Sequence, residues 1–220
     1  MWFGGEPFNR ADSESYRPRH VALKVLGLQW NVLQDTLSVQ YEFIDQPVIV
    51  ERKRDVLKAI ASIFDPLGLI SPLLLQAKIF MQSLWERKLD WDDLLPKELQ
   101  GEWERIKRCL KMVCGIQIPR FPFTEFSDKT KFQLIGFCDA SRSAYTAVVY
   151  LRILDGEKFQ SAAVFAKIRL APIKAITIPR LELLGVLLGV RLLRFVEKHL
   201  GLQMMRKILY TDSVCVLYWL

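Results

Sequence analysis

Three carboxylates stand apart in residues 131–220: Asp139 in IGFCDAS, Glu182 in TIPRLELLG and Asp212 in LYTDS. Each is set in apolar sequence, and a carboxylate drawn into a strand or helix interior is costly unless something pairs with it. Residues 131–220 hold thirteen Lys and Arg against six Asp and Glu, while residues 1–130 hold eighteen of each sign, so the whole excess of +7 surrounds these acids. Three acids in a basic setting point to divalent cations acting on a polyanion. Oxygen-only ligands suit Mg2+ or Mn2+, and two such ions about 3.5–4 Å apart activate a water and stabilise a leaving oxygen in phosphodiester hydrolysis. Each acid also has a plainer reading. Asp139 before Ala140-Ser141 would cap a turn, Glu182 would be a first-turn acid favoured by the helix dipole, and Asp212 before Ser213 would be an N-cap.

The elements between them decide whether they can meet. From Phe132 the pattern is strand, turn, strand: QLIGFCD, the small polar turn ASRSA, then YTAVVYLRIL. Asp155-Gly156 is a strong hairpin dipeptide, and KFQSAAVFAKIRL follows as a third strand. A long helix starts near Thr177–Pro179 and runs to about Leu200, stopped by Gly201. KILYT, 207–211, is a fourth strand, and Ser213 opens another helix. The order is βββαβα, and the crossover favours a fourth strand parallel to the first and beside it. Asp139 then ends the first strand, Glu182 lies in the first turn of the crossover helix and Asp212 ends the fourth strand. Parallel neighbours end side by side, so the acids can converge although at least 30 residues of chain separate them. Gly185 and Gly189 share the helix face of Glu182 and leave room for a strand or a ligand, or serve helix packing alone.

Upstream, residues 1–20 are polar and read as loose. Val25–Trp30 and Thr36–Phe43 read as a hairpin around NVLQD. A helix runs from Arg52 to Phe64 and is stopped by Asp65-Pro66-Leu67-Gly68. A second starts with Ser71 as N-cap and Pro72 at the first helical position and continues to about Lys88. A third covers Pro96–Met112, with Trp103, Ile106 and Leu110 on one face. Together they predict a packed helical bundle with solvated charges. Cys109, Cys114, Cys138 and Cys215 form no CxxC pair, which argues against zinc and for the reduced thiols of an intracellular protein. MWFGGEPFNRADSES has no apolar core of a secretory signal. LLGVLLGV, 183–190, is far short of a membrane span and fits a buried helix. The chain stops inside the apolar run VCVLYWL, as a truncated fragment would.

WNVLQDTLSV, RKRDVLKAIASIFDPLGLISPLLLQAKIFMQSLW, WDDLLPKEL, GFCDAS with AVVYLR, and AKIRLAPIKAITIPRLELLG with YTDS closely resemble the polymerase polyprotein of Bel/Pao-type LTR retrotransposons, over about residues 21–220. FDPLGLISP and TIPRLEL are the most specific strings. Such polyproteins carry protease, reverse transcriptase, RNase H and integrase. The resemblance implies an α/β chain: residues 21–118 a β-hairpin and helices like a reverse transcriptase thumb and connection region, and residues 131–220 a truncated RNase H-like mixed sheet.

It implies further that Asp139, Glu182 and Asp212 hold two Mg2+ (or Mn2+) ions and cleave the RNA strand of an RNA–DNA hybrid. Such folds recognise a hybrid by shape, phosphates and 2′-hydroxyls. The candidate contacts are Ser141 and Arg142 beside Asp139, and Lys167, Arg169, Lys174 and Arg180 before Glu182. The alternative for each is a solvated surface. The implied partners are an RNA–DNA hybrid or other nucleic acid and the rest of the polyprotein, with no membrane. The implied location is cytoplasmic, in the particle of the element, with access to the nucleus.

The departures are specific. No Tyr-x-Asp-Asp occurs, and Asp92-Asp93 follows Trp91 in a helical loop, so no polymerase site is expected. The region also goes under the description of a retrotransposon peptidase, yet no Asp-Thr/Ser-Gly occurs, so no protease site is expected. An RNase H site adds a fourth carboxylate on a later helix, which would lie past Leu220. His20 and His199 read as surface residues, and Thr146 stands where the family has a small Gly. The competing expectation is a catalytically inactive remnant or a nucleic-acid-binding module.

Overall fold

The computed structural model describes residues 22–25, 27–39, 51–112, 116–123, 127 and 130–220. The chain opens with β1 (Ala22–Val25), β2 (Leu28–Asn31) and β3 (Thr36–Val39). β4 (Ile118–Pro119) joins them much later, completing an antiparallel sheet ordered β1-β2-β3-β4. The strand expected over Val25–Trp30 is in fact two, because Gly27 takes φ 80° and turns the chain back on itself. The hairpin at 32–35 is present. Asn31 accepts the Leu33 and Gln34 N–H groups at 3.0 and 3.1 Å and so organises its turn. The expected end at Phe43, like the loose segment at 1–20, lies outside the described residues.

Three helices follow: α1 (Lys53–Ser62), α2 (Ser71–Glu86) and α3 (Lys97–Lys111). The start of α2 differs from expectation, with Ile70 as N-cap and Ser71 as the first helical residue. Asp65 explains the shift. Its carboxylate accepts the Leu69 and Ile70 N–H groups at 2.8 and 3.0 Å, so the helix entrance is capped from the DPLG turn rather than by the serine. The apolar faces of the three helices meet in one core around Val56, Leu74, Ala77, Phe80, Leu84 and Trp103. Phe80 and Trp103 stack at 5.4 Å between ring centroids. That contact adds about 0.5–1.5 kcal/mol to the burial of the two rings.

The second sheet is built from β5 (Lys131–Ala140), β6 (Ala144–Asp155), β7 (Lys158–Leu170) and β8 (Met204–Tyr210), ordered β7-β6-β5-β8. β5 and β8 are parallel, and the other pairs are antiparallel. The long helix α4 (Ile178–Leu200) connects β7 to β8, and α5 (Val214–Trp219) follows. The βββαβα order and the parallel fourth strand are as the sequence predicts, though β8 begins three residues before KILYT. Gly201 ends α4 at φ 63°, the left-handed cap that glycine adopts without a Cβ clash. Leu134, Cys138, Ala147 and Val149 bury one face of the sheet against Val186, Leu192 and Val196 of α4.

The helical layer meets this sheet at the edge of β7. The Ala166 N–H donates to the Leu67 carbonyl at 2.9 Å, and Gln82 donates to the Ala171 carbonyl at 2.8 Å. Among the described residues no helix is long and apolar enough to cross a membrane.

Candidate functional site

β5 and β8 set the two aspartates. Their last paired residues are Phe137 and Tyr210, whose rings stack at 5.3 Å with planes 18° apart. Asp139 lies two residues beyond Phe137, and Asp212 two residues beyond Tyr210. The common offset in a parallel pair brings both carboxylates to the same end of neighbouring strands. Both are exposed. Between them Cys138 is buried, and its thiol meets the Tyr210 carbonyl at 3.4 Å. Burial pushes the Cys138 thiol up, a hydrogen bond with Thr211 works against the rise, and the charges of Asp139 and Asp212 add to it. One thiol therefore feels both aspartates.

α4 brings the third acid. Glu182 sits in its second turn rather than its first, because the helix starts at Ile178 with Thr177 as N-cap and Pro179 in the first turn. One turn further, Gly185 is buried against the sheet. A Cβ there would lie 3.3 Å from the Asp139 carbonyl oxygen and 3.8 Å from that of Thr146. The glycine lets α4 approach the ends of β5 and β6 closely. Gly189 serves packing in the same way, with a Cβ meeting the Leu209 methyls. Glu182 is half-buried, and the Ser213 hydroxyl donates to its Oε2 at 2.5 Å. Ser213 also caps α5, accepting the Val216 N–H at 3.2 Å. The cap of that helix is thus the serine and not Asp212.

The strand ends and the helix bring the three acids to one edge of the sheet without gathering them. Among the described residues no group of three or more His, Cys, Asp and Glu is placed to hold a metal ion. Strand alternation accounts for part of this, since Cys138 faces the core under α4 and Asp139 therefore leaves on the opposite face with Phe137. Asp139 Oδ1 accepts the adjacent Ala140 N–H at 2.6 Å and so turns back on its own strand end. The donor set itself, three carboxylates with no sulfur or nitrogen, fits hard divalent cations.

The candidate contacts surround this edge. Ser141 organises the β5–β6 turn, its hydroxyl accepting the Ser143 and Ala144 N–H groups at 3.3 and 3.2 Å, so that hydroxyl is already used. Arg142, Lys167, Arg169, Lys174 and Arg180 are exposed. His199 is exposed and lies on the Phe195 ring, far along α4 from the acids. Sequence reasoning missed the role of Ser213. A serine after Asp212 and before an apolar helix signals a cap, but nothing local signals a partner 31 residues away.

A mixed sheet with a parallel return strand, carrying acids at two strand ends and on the crossover helix, defines an RNase H-like domain. The family described as the Pao retrotransposon-like RNaseH-like domain matches residues 52–213, and the chain belongs to that family. The match takes in the helical layer as well as the second sheet. No curated protein matches the chain. Among solved structures, the foamy viral protease-reverse transcriptase in complex with dsDNA is similar over 91% of this chain at 12% identity and a TM-score of 0.47. A second foamy viral structure, the protease-reverse transcriptase dRH with dsDNA, gives 13% identity and a TM-score of 0.41 over the same share. The chain spans 39% and 33% of the lengths of these two proteins.

Proposed function

We propose that the chain is the RNase H-like part of a retroelement polyprotein, that it binds nucleic acid, and that Asp139, Glu182 and Asp212 serve metal-dependent cleavage of RNA in an RNA–DNA hybrid. The observation that carries this is the shared offset of Asp139 and Asp212 past the Phe137–Tyr210 pair, with Gly185 holding α4 against the same strand end. Two Mg2+ or Mn2+ ions held by the three carboxylates would supply charge neutralisation and an activated water at the scissile phosphate. The chain's own residues do the rest. The sheet fixes the aspartates at neighbouring strand ends, Ser213 orients Glu182, and the surrounding cations draw in the phosphate backbone.

The test is incubation of the 220-residue chain with a labelled RNA–DNA hybrid and Mg2+. Cleavage of the RNA strand is expected, with loss on chelation and on Asp139→Asn. Undiminished cleavage by Asp139→Asn rejects the assigned site. Hybrid binding without cleavage in the parent chain would leave a nucleic-acid-binding module.

A further inference from the structure

α4 has two unlike faces. Leu181, Gly185, Leu192 and Val196 are buried on the inner one. Arg180, Leu187, Arg191, Arg194 and Lys198 are exposed on the outer one. At 3.6 residues per turn these five positions fall within a band about 60° wide, running about 27 Å along the helix.

β7 adds to the band. Phe165 stacks on Phe195 at 5.2 Å and fixes the alignment of strand and helix. β7 runs parallel to β5, and α4 returns in the opposite direction to start β8, so stepping up β7 means stepping down α4. Two strand residues cover about 6.6 Å, close to one helical turn. Lys167 therefore falls alongside Arg191, and Arg169 one turn nearer Arg180. Both pair with residues of the α4 face of β6, namely Ala147 and Tyr145.

Six cations thus line one surface, and its Arg180 end lies at the same end of α4 as Glu182. Among the described residues none of the six makes an ion pair or a side-chain hydrogen bond. The acid on the flank, Glu197, is already taken by Lys207 at 2.7 Å. A row of like charges without counter-charges repels itself, and an anionic ligand relieves the repulsion. The broad apolar face of α4 is spent on the core, and the exposed apolar residues Leu183, Leu187 and Phe195 are scattered among the cations rather than joined in a stripe that would seat the helix in a bilayer.

We infer that the outer face of α4, with Lys167 and Arg169 of β7, is a track for a nucleic-acid phosphate backbone that leads to the carboxylate end of the sheet. The choice of nucleic acid rests on the functional reading above. Arg191, Arg194 and Lys198 are the part of the track farthest from the acids, so they report on binding without touching the chemistry.

The experiment is fluorescence anisotropy of a labelled RNA–DNA hybrid with the 220-residue chain in EDTA, over a salt series. Each phosphate neutralised by a cation adds about 0.9 to the slope of log K against log [salt]. Arg191→Ala/Arg194→Ala/Lys198→Ala should therefore lower that slope by about 2–3 and weaken binding at least tenfold at low salt. Arg105→Ala/Arg108→Ala, which removes two exposed cations of α3, should leave the slope unchanged. Should the triple variant lose its native circular dichroism, Lys167→Ala/Arg169→Ala on the strand gives the same reading with an expected slope change of about 2. An unchanged slope in a folded track variant overturns the inference, as does an equal loss in the α3 control. Loss of binding to phosphatidylserine vesicles with hybrid binding intact would overturn it in favour of a membrane. A track variant that binds normally while Asp139→Asn is inactive sinks only the track. Cleavage that survives Asp139→Asn sinks only the functional reading.

Discussion

The Ser213 hydroxyl donates to Glu182 Oε2 at 2.5 Å, joining the start of α5 to the crossover helix across 31 residues of sequence. Hydrogen bonds from a hydroxyl to a carboxylate are short and strong. A partner that orients a metal ligand typically accounts for about 10–100-fold in metal affinity or activity. Ser213→Gly separates the two duties of the residue, because glycine at an N-cap costs only a few tenths of a kcal/mol. We expect Ser213→Gly to raise the Mg2+ concentration for half-maximal cleavage about tenfold with little change in melting temperature, and Ser213→Thr to restore the parent value. A purely structural serine would show the opposite pattern, with a lower melting temperature and unchanged Mg2+ dependence.

Gly185 and Gly189 make a matched pair, since a Cβ at the first meets fixed backbone and at the second meets the ends of the Leu209 side chain. Alanine in a helix interior is favoured over glycine by about 0.5–1 kcal/mol. Gly185→Ala should forfeit that gain by pushing α4 a few tenths of an ångström off the Asp139 carbonyl, and should lower cleavage by about threefold, because misplacing catalytic groups by about 1 Å can cost 100-fold. Gly189→Ala should be tolerated, as Leu209 can rotate. Thermal melts and cleavage rates on both variants check this, and equal activities would show that the spacing at Gly185 does not matter to the site.

The acid side of the stability profile follows from the first sheet. Arg120 binds Asp35 through Nε and Nη2 at 2.6 and 3.0 Å, and the Trp30 indole N–H donates to the same carboxylate at 2.9 Å. The hydrogen bond from Arg120 holds Asp35 below its ordinary value, burial works against this, and Trp30 and the charge of Arg120 reinforce it. A lowered carboxylate stabilises the fold above its unfolded value of 3.8, and the contribution is lost as pH falls through the lower folded value. Asp35→Asn should therefore flatten the loss of stability below about pH 4. Both side chains are more than one-third exposed, so the effect at neutral pH should be modest and should shrink in high salt. Urea titrations at pH 7 and pH 3 check it, and an unchanged pH dependence would sink it.

Much of the second sheet was legible because its signals are local. The alternation in KFQSAAVFAKIRL, the Asp155-Gly156 turn and the Thr177-to-Gly201 helix each name their own element, and the crossover then dictates the parallel return of β8. The first sheet was less legible. Gly27 splits a run that reads as one strand, and β4 is a two-residue partner from beyond the helices, which no local pattern announces. The start of α2 was misread because the capping carboxylate, Asp65, belongs to the preceding turn. At the site, sequence identified residue types and approximate ends of elements. It did not reveal the rotamer of Glu182, because the partner is tertiary, nor the single cationic face of α4, because that emerges only when the inner face is known to be buried.

The joint between the helical layer and the second sheet rests on the FDPLG turn. Gly68 holds φ 76°, and a Cβ there would overlap the Ala166 carbonyl on the edge of β7. The left-handed region alone costs a non-glycine residue about 1–2 kcal/mol. Clearing the overlap also requires breaking the 2.9 Å bond between the Ala166 N–H and the Leu67 carbonyl, which leaves an edge-strand donor to water and adds about 0.5–1.5 kcal/mol. Gly68→Ala should therefore destabilise the chain by about 1.5–3.5 kcal/mol. It should also expose the β7 amides around Ala166 to hydrogen exchange before the α4 amides. Gly101→Ala is the counterpart, since a Cβ there meets nothing within 4 Å and its position is a helix interior. That substitution should stabilise by about 0.5–1 kcal/mol. Urea unfolding followed by circular dichroism reads both signs, and a Gly68→Ala chain as stable as the parent would show that the turn does not hold the two layers together.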